Sequence, residues 1–241
     1  MRYFRDFPKT LYKFGNQTSS SVFTDISIFS EVLDELKDQE SVYQKFSIID
    51  GMRPDQVSDE IYGTPIYHWT FYILNDLIRE RGWPLDADDL LDQVKDDFPD
   101  TAIRTRFDLT GSSDFVSGAS IRGTTSGTVA TISHRKLDLG LIIVTGTHSF
   151  TNGETVELVS DITKTFTLDS FSAEHLSAHH FEDADGNYVD ITPTNEDPGI
   201  FTKKTNFDFY KTQNDELKLI NVIKPGNIGS ITSAFKQSIG S

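Results

Sequence analysis

Residues 49–75 read IDGMRPDQVSDEIYGTPIYHWTFYILN. The turn and helix signals in this stretch set its local structure. Asp50-Gly51 marks a turn. Arg53-Pro54-Asp55 starts a helix, because proline fits the first helical turn, where its missing N–H goes unused. Val57, Ile61 and Tyr62 fall on the inward side, and Gly63 stops the helix as a residue free to adopt positive φ. Thr64 caps a second helix with Pro65 in its first position. Ile66, Trp69, Thr70, Ile73, Leu74 and Leu77 then form one stripe at helical spacing. The opposite side carries Tyr67, Phe71 and Tyr72, so this helix is apolar nearly all round and needs cover on both sides. A small strand–helix–helix–strand unit covers one of them. The rest of the chain or another protein must supply the other.

The flanks extend the pattern. YQKFSIID at 43–50 is strand-like, with Tyr43, Phe46 and Ile48 as its apolar contributors. Trp83-Pro84-Leu85 leads out of the helices into an acidic run, Asp86 to Asp100. Its spacing matches no calcium loop, and it reads as a solvated helix with Leu90, Leu91 and Val94 on the buried side. Upstream, Tyr3, Phe4, Phe7, Leu11, Tyr12 and Phe14 form an aromatic segment with a strand or extended arm near 10–14. That segment serves either as a strand of the protein's own core or as an arm docking on a neighbour. Residues 16–24 read as a loop. An amphipathic helix over 25–37 follows, with Ile28, Phe29, Val32, Leu33 and Leu36 on one face.

Near residue 108 the composition changes. Seven of the sixteen glycines fall between there and about 160. Strand-length pieces (FDLTG, ASIRG, GTVATIS, LDLGLIIV, ETVELV) alternate with turn signals, which predicts a small β-barrel or sandwich. Phe115-x-x-Gly118-x-x-Ile121 recurs weakly as Phe150-x-x-Gly153-x-x-Val156. Past 165, SAEHLSAHH predicts a short helix or strap. FEDADGNYVDITP predicts a hairpin turning at Asp185-Gly186-Asn187. A strand near 217–223 and a final helix through Ile228, Ile231, Phe235 and Ile239 complete the chain. The expected fold class is α+β. Its parts are an N-terminal arm and helix (1–42), a strand–helix–helix unit (43–107), an inserted all-β domain (108–165) and a C-terminal hairpin, strand and helix (166–241).

The 241 residues carry a net charge of −15 and no cysteine. So acidic a surface repels phosphate backbones and anionic membranes, which argues against nucleic-acid and membrane partners. Lacking cysteine, the chain has no disulfide, thiolate metal site or cysteine nucleophile, and it suits assembly in a reducing cytoplasm. MRYFRDFPKT does not read as a signal peptide. His175 and His179 would share a helix face, as zinc ligands can, but the zinc-protease motif is missing. Asp183-x-Asp185-Gly186-x-x-x-Asp190 places its glycine too early for a calcium loop. There is no Gly-x-Ser-x-Gly elbow and no glycine-rich phosphate loop. No catalytic residue, metal site or cofactor is expected.

The run Asp50-Gly51, Arg53-Pro54, Tyr62-Gly63 and Tyr67-His68-Trp69, continuing to Asn75, resembles the baseplate wedge protein 53 family of contractile-tailed phages. HHFEDADGNYVD at 179–190 and NDELKLINVIKPGNIGSITSAFKQSI at 214–239 agree more weakly, as does the aromatic arm. The likeness covers about the first hundred residues and the last seventy, while the glycine-rich β segment departs from it. The resemblance implies a LysM-like β-α-α-β fold and a non-enzymatic role in the virion tail baseplate, assembled in the host cytoplasm. There the chain would clamp wedge and hub-proximal tail proteins and join neighbouring wedges into a six-fold assembly. Tyr62, Tyr67, Trp69, Phe71 and Tyr72 are the candidate partner-binding aromatics. Arg53 either pairs with an acidic partner or serves its own helix start. Two other readings compete: a peptidoglycan-binding LysM module stacking sugars on residues 64–83, and a tail-associated glycan hydrolase using carboxylates.

Overall fold

The computed structural model describes residues 9–13, 20–24, 41–106, 113–191 and 200–240. The helix expected over 25–37 lies outside them. The chain divides into two compact units, residues 1–87 with 214–241 and residues 88–213. Helices and sheets are both present, as an α+β class requires.

In the first unit, β1 (Lys9–Tyr12) and β2 (Ser21–Thr24) form a two-stranded antiparallel ribbon. Residues 21–24 are thus a strand where a loop was expected, their VF pair matching the apolar pair of β1. β3 (Tyr43–Ser47) leads to α1 (Pro54–Tyr62), which ends at Gly63 with φ +69°. The expected second helix is broken into three pieces. A 3-10 turn spans Pro65–Tyr67, and two short helices follow, α2 (Trp69–Leu74) and α3 (Asp76–Arg81). The break falls at Asn75, which is extended. Its amide donates to the carbonyls of Phe71 and Asn221 and its Oδ1 accepts from Asn221 N–H, so the side chain substitutes for helix bonds.

In the second unit, α4 (Ala87–Asp97) buries Leu90 and Val94 and leaves Leu91 half-buried. Then come β4 (Thr101–Thr105), β5 (Ser120–Gly123), β6 (Val129–Lys136), β7 (Leu141–Val144), β8 (Thr155–Leu158) and β9 (Asp161–Ala173). They close a six-stranded antiparallel barrel in the ring order β4-β7-β6-β5-β8-β9. The barrel is wider in sequence than the 108–165 expected from composition. TAIRT and the alternating TFTL stretch, which lack glycine, supply its two outer strands. Leu141–Val144 is buried throughout because both of its faces are covered. Ile142 and Val144 point into the barrel with Ile103, Ile121, Ile132 and Leu168, while Leu141 and Ile143 pack outside it with Ala102, Ala178 and Phe181.

Residues 172–180 contain one short 3-10 turn and no α-helix. Strand β9 runs to Ala173, a 3-10 turn covers Glu174–Leu176, and β10 (Ala178–Glu182) follows. β10 pairs with β11 (Tyr188–Val189) across the expected turn, where Asp183 Oδ1 accepts the backbone N–H of Asp185 and Asn187 at 2.9 Å each. β12 (Thr202–Thr205) adds to the other edge, and α5 (Asn206–Glu216) leads on. Back in the first unit, β13 (Leu219–Ile223) and α6 (Ile228–Gly240) close the chain.

The decisive pairing is β3 with β13, antiparallel from Tyr43↔Ile223 to Ser47↔Leu219. The second strand of the strand–helix–helix–strand unit therefore lies at 219–223. The expected boundaries at 107, 108 and 165 move accordingly, and everything from 88 to 213 is inserted between the helices and their closing strand. Asn214 ties the first unit together at that point. Its Oδ1 accepts from Leu85 N–H at 2.8 Å, and its Nδ2 donates to Leu85 O at 2.9 Å.

Candidate docking surface

Arg53 caps α1 at its start. Its N–H donates to Gln56 Oε1 at 2.9 Å, and its guanidinium forks onto the Asp55 carboxylate at 3.1 and 2.7 Å. The Arg53 hydrogen bond holds the Asp55 carboxyl below its usual range. Both side chains are open to solvent, so this pair adds little to stability.

The aromatic candidates separate into sealed and half-open rings. Phe71 is fully buried, with Tyr62 stacked at 6.3 Å and Trp83 at 6.0 Å. Trp69 is buried against Phe235 of α6 at 5.2 Å. Both are packing residues of this unit and present no docking face. Tyr62 is half-buried and donates its hydroxyl to Ile223 O at 2.9 Å; burial pushes the phenol up to about 12. Tyr67 meets Tyr62 edge-on at 5.5 Å. Tyr72 lies 6.1 Å from Trp83, and burial raises its phenol. Both faces of the broken helix are therefore covered from within the chain. Phe235 lies over Trp69 on one face and Trp83 over Phe71 and Tyr72 on the other, and Trp83 is anchored by its Nε1 donating to Met52 O at 2.7 Å. A neighbour is not needed there.

The large apolar exposure of this unit lies elsewhere. On the β1–β2 ribbon, Leu11 is 71% exposed, Val22 62%, Tyr12 55% and Phe23 41%. Leu11 pairs directly with Val22, so these two share one face of the ribbon. Tyr12 and Phe23 share the other and meet edge-on at 6.5 Å. The Leu11–Val22 face is thus apolar and exposed, and a two-stranded ribbon alone is marginal in water. The first 24 residues hold Arg2, Arg5, Lys9 and Lys13 against the single carboxylate of Asp6, in a chain of net charge −15. The aromatic spacing pointed to this arm, but the hairpin and its basic sign were not read from it.

In the second unit, the histidines do not form the pair a helix would have made. His175 sits in the 3-10 turn and His179 in β10. His179 Nδ1 lies 2.8 Å from His180 Nδ1, and His180 Nε2 lies 3.0 Å from Glu182 Oε1. His179 stacks on Phe209 and His180 on Tyr188, each at 3.9 Å. Among the described residues, no group of three His, Cys, Asp or Glu is placed to hold a metal ion. Among them also, no helix is long and apolar enough to cross a membrane.

One carboxylate that sequence patterns missed is Glu154, only 4% exposed. It accepts N–H bonds from Thr125, Ser126 and Thr151 and a hydroxyl bond from Ser126, all within 2.9 Å. Burial pushes its carboxyl up, but these donors prevail and hold it below the usual range. A Cβ on Gly123 would fall 2.6 Å from Glu154 Oε1, so only glycine fits beside it. This arrangement ties two turns of the barrel together and occupies the carboxylate fully. It is structural.

No family model matches the chain, and no curated protein matches its sequence.

Proposed function

We propose that this chain is a non-enzymatic structural subunit of a contractile phage tail baseplate, and that its N-terminal hairpin docks onto an acidic surface of another tail protein. The observation that carries this reading is the exposed apolar pair Leu11 and Val22 on one face of the hairpin. Two large aliphatic side chains paired on one face of the hairpin suit burial by a partner. The cations of the arm set the sign of that partner, since complementary charge steers encounter and rejects like-charged surfaces.

The baseplate assignment rests on the resemblance at residues 49–75. The arrangement of β3, α1, the broken helix and antiparallel β13 is compatible with the LysM-like unit that the resemblance implies. With Trp69 and Phe71 inside that unit, the partner-facing role passes from these rings to the hairpin. Arg53, Tyr67 and Tyr72 keep solvent-accessible surface for secondary contacts.

The test is co-expression of the full chain with the tail proteins encoded beside it. Leu11→Glu/Val22→Glu should abolish the complex and leave the circular dichroism spectrum unchanged. A complex retained at wild-type yield would reject the hairpin as the docking element. Saturable binding of the wild type to cell-wall glycan, without any tail complex, would instead support the peptidoglycan-binding reading.

A further inference from the structure

The two Phe-x-x-Gly motifs occupy equivalent places in the barrel. Phe115 and Phe150 both enter its core, against Phe166 at 4.9 Å and Phe171 at 6.2 Å. Gly118 and Gly153 have φ of +85° and +80°. Gly118 N–H donates to Ile132 O at 2.8 Å, and Ile132 N–H returns to Ala119 O at 2.9 Å. Gly153 N–H donates to Leu168 O at 2.9 Å, and Leu168 N–H returns to Glu154 O at 2.8 Å. Ile121 and Val156, three residues past each glycine, are both fully buried.

The correspondence extends to every strand. Replacing β4, β5 and β6 by β7, β8 and β9, and the reverse, reproduces the same ring of neighbours. β6 skips one residue between Ile132 and His134 where it meets β7. β9 skips one between Leu168 and Ser170 where it meets β4. The β5–β8 ladder is unchanged by the exchange, since Ile121↔Leu158 becomes Gly123↔Val156. The β4–β7 ladder is centred on Ile103↔Ile142, both fully buried, with Thr101↔Val144 at one end and the Thr105 N–H to Gly140 O bond at the other. These are the marks of a two-fold axis through the barrel.

We infer that the barrel is a tandem duplication of one three-stranded segment, and that residues 101–136 carry an interaction surface whose fitting partner is a second copy of the same segment, here residues 141–173. Each segment keeps a hairpin, β5–β6 or β8–β9, and gives its first strand away. β4 lies between β7 and β9, and β7 lies between β4 and β6. The interface is therefore isologous and built by mutual strand exchange. Two segments joined this way leave no open edge in the ring, whereas one segment alone leaves several. Side chains have diverged where the halves do different work, as at Glu154, whose counterpart is Ala119.

The test uses the full chain. A Cβ at Gly118 or Gly153 meets no atom within 4 Å, so alanine at either costs only the strain of positive φ. Gly118→Ala and Gly153→Ala should lower the urea midpoint of the barrel by shifts that agree within twofold. A larger disparity overturns the inference. In a second variant, residues 101–140 and 141–173 are transposed within the full-length protein. Retained amide-exchange protection in all six strands supports the duplication. If the transposed chain does not fold, the paired alanine shifts alone decide between duplication and coincidence.

Discussion

In the barrel every strand has two neighbours, so the ring offers no free edge. The first unit is built the opposite way. Among the described residues its sheets, β1–β2 and β3–β13, have two strands each, and helices and strands share its core. The barrel's stability comes from β-branched and aliphatic side chains inside a closed hydrogen-bonded ladder. The first unit depends on interlocking rings, Tyr62, Phe71, Tyr72 and Trp83, against Ile220 and Val222. A closed ring has little capacity to add a strand, while an open ribbon has much. The proposed docking ribbon is such an open two-stranded element, unlike the closed barrel.

The largest expected effect tests the ring-packed core. Phe71→Ala removes a fully buried ring and should cost about 3–5 kcal/mol. Amide exchange should show the loss at β3 and β13, with β5 and β8 keeping their protection. Equal loss in both places would mean that the two cores do not fail separately, and the contrast would break.

A smaller effect sharpens the account of the barrel. Glu154→Gln keeps the shape but turns an amide N–H₂ toward groups that donate. It should cost about 2 kcal/mol, read from the urea midpoint. Because the folded carboxyl sits below its ordinary value of 4.5, the unfolded state binds the proton first on acidification. The stability it supplies is full above that ordinary value and is lost as pH falls through the lower, folded value. The variant should show a flatter acid limb. An unchanged limb would remove Glu154 from the account.

The smallest effect concerns His179. Burial, then the charges of His180 and Lys136, lower its pKa from the ordinary 6.5. The unfolded state again takes the proton first, so this contribution is present above pH 6.5 and fades below it. His175, also lowered by burial, carries the same sign. His175→Gln/His179→Gln should flatten the stability curve just below pH 6.5, before carboxylates titrate. A curve that still falls there would assign the slope to other groups.

Local punctuation made much of this legible. Pro54, Gly63 and the Asp185-Gly186-Asn187 turn act within a few residues, and each stands where its backbone chemistry requires. The Phe-x-x-Gly repeat was visible too, although its two-fold meaning needs the ring order. Nothing in YQKFS or LINVI names its partner, because strand pairing over so long a separation leaves no local mark. The break at Asn75 was hidden for the same reason: an amide inside a helical stripe looks ordinary until Asn221 is seen beside it. Whether the chain itself or a neighbour covers the aromatic helix stayed open in the sequence, because Phe235 lies over 160 residues from Trp69 along the chain. The basic hairpin was obscured by a chain-wide charge of −15, which averages away a local reversal of sign.

The pairing of Tyr43 with Ile223 also sets a timetable for synthesis. A ribosome adding about 5–20 residues per second needs roughly 10–40 s to travel from one to the other. Throughout that interval β3 has left the exit tunnel without its mate, and the helices after it have no sheet to pack on. The barrel's strands all emerge within the wait, and their folding shortens the effective loop that β13 must close. A truncated product ending inside the insert would leave the first unit's aromatic rings uncovered, exposed to whatever chaperones the cell provides.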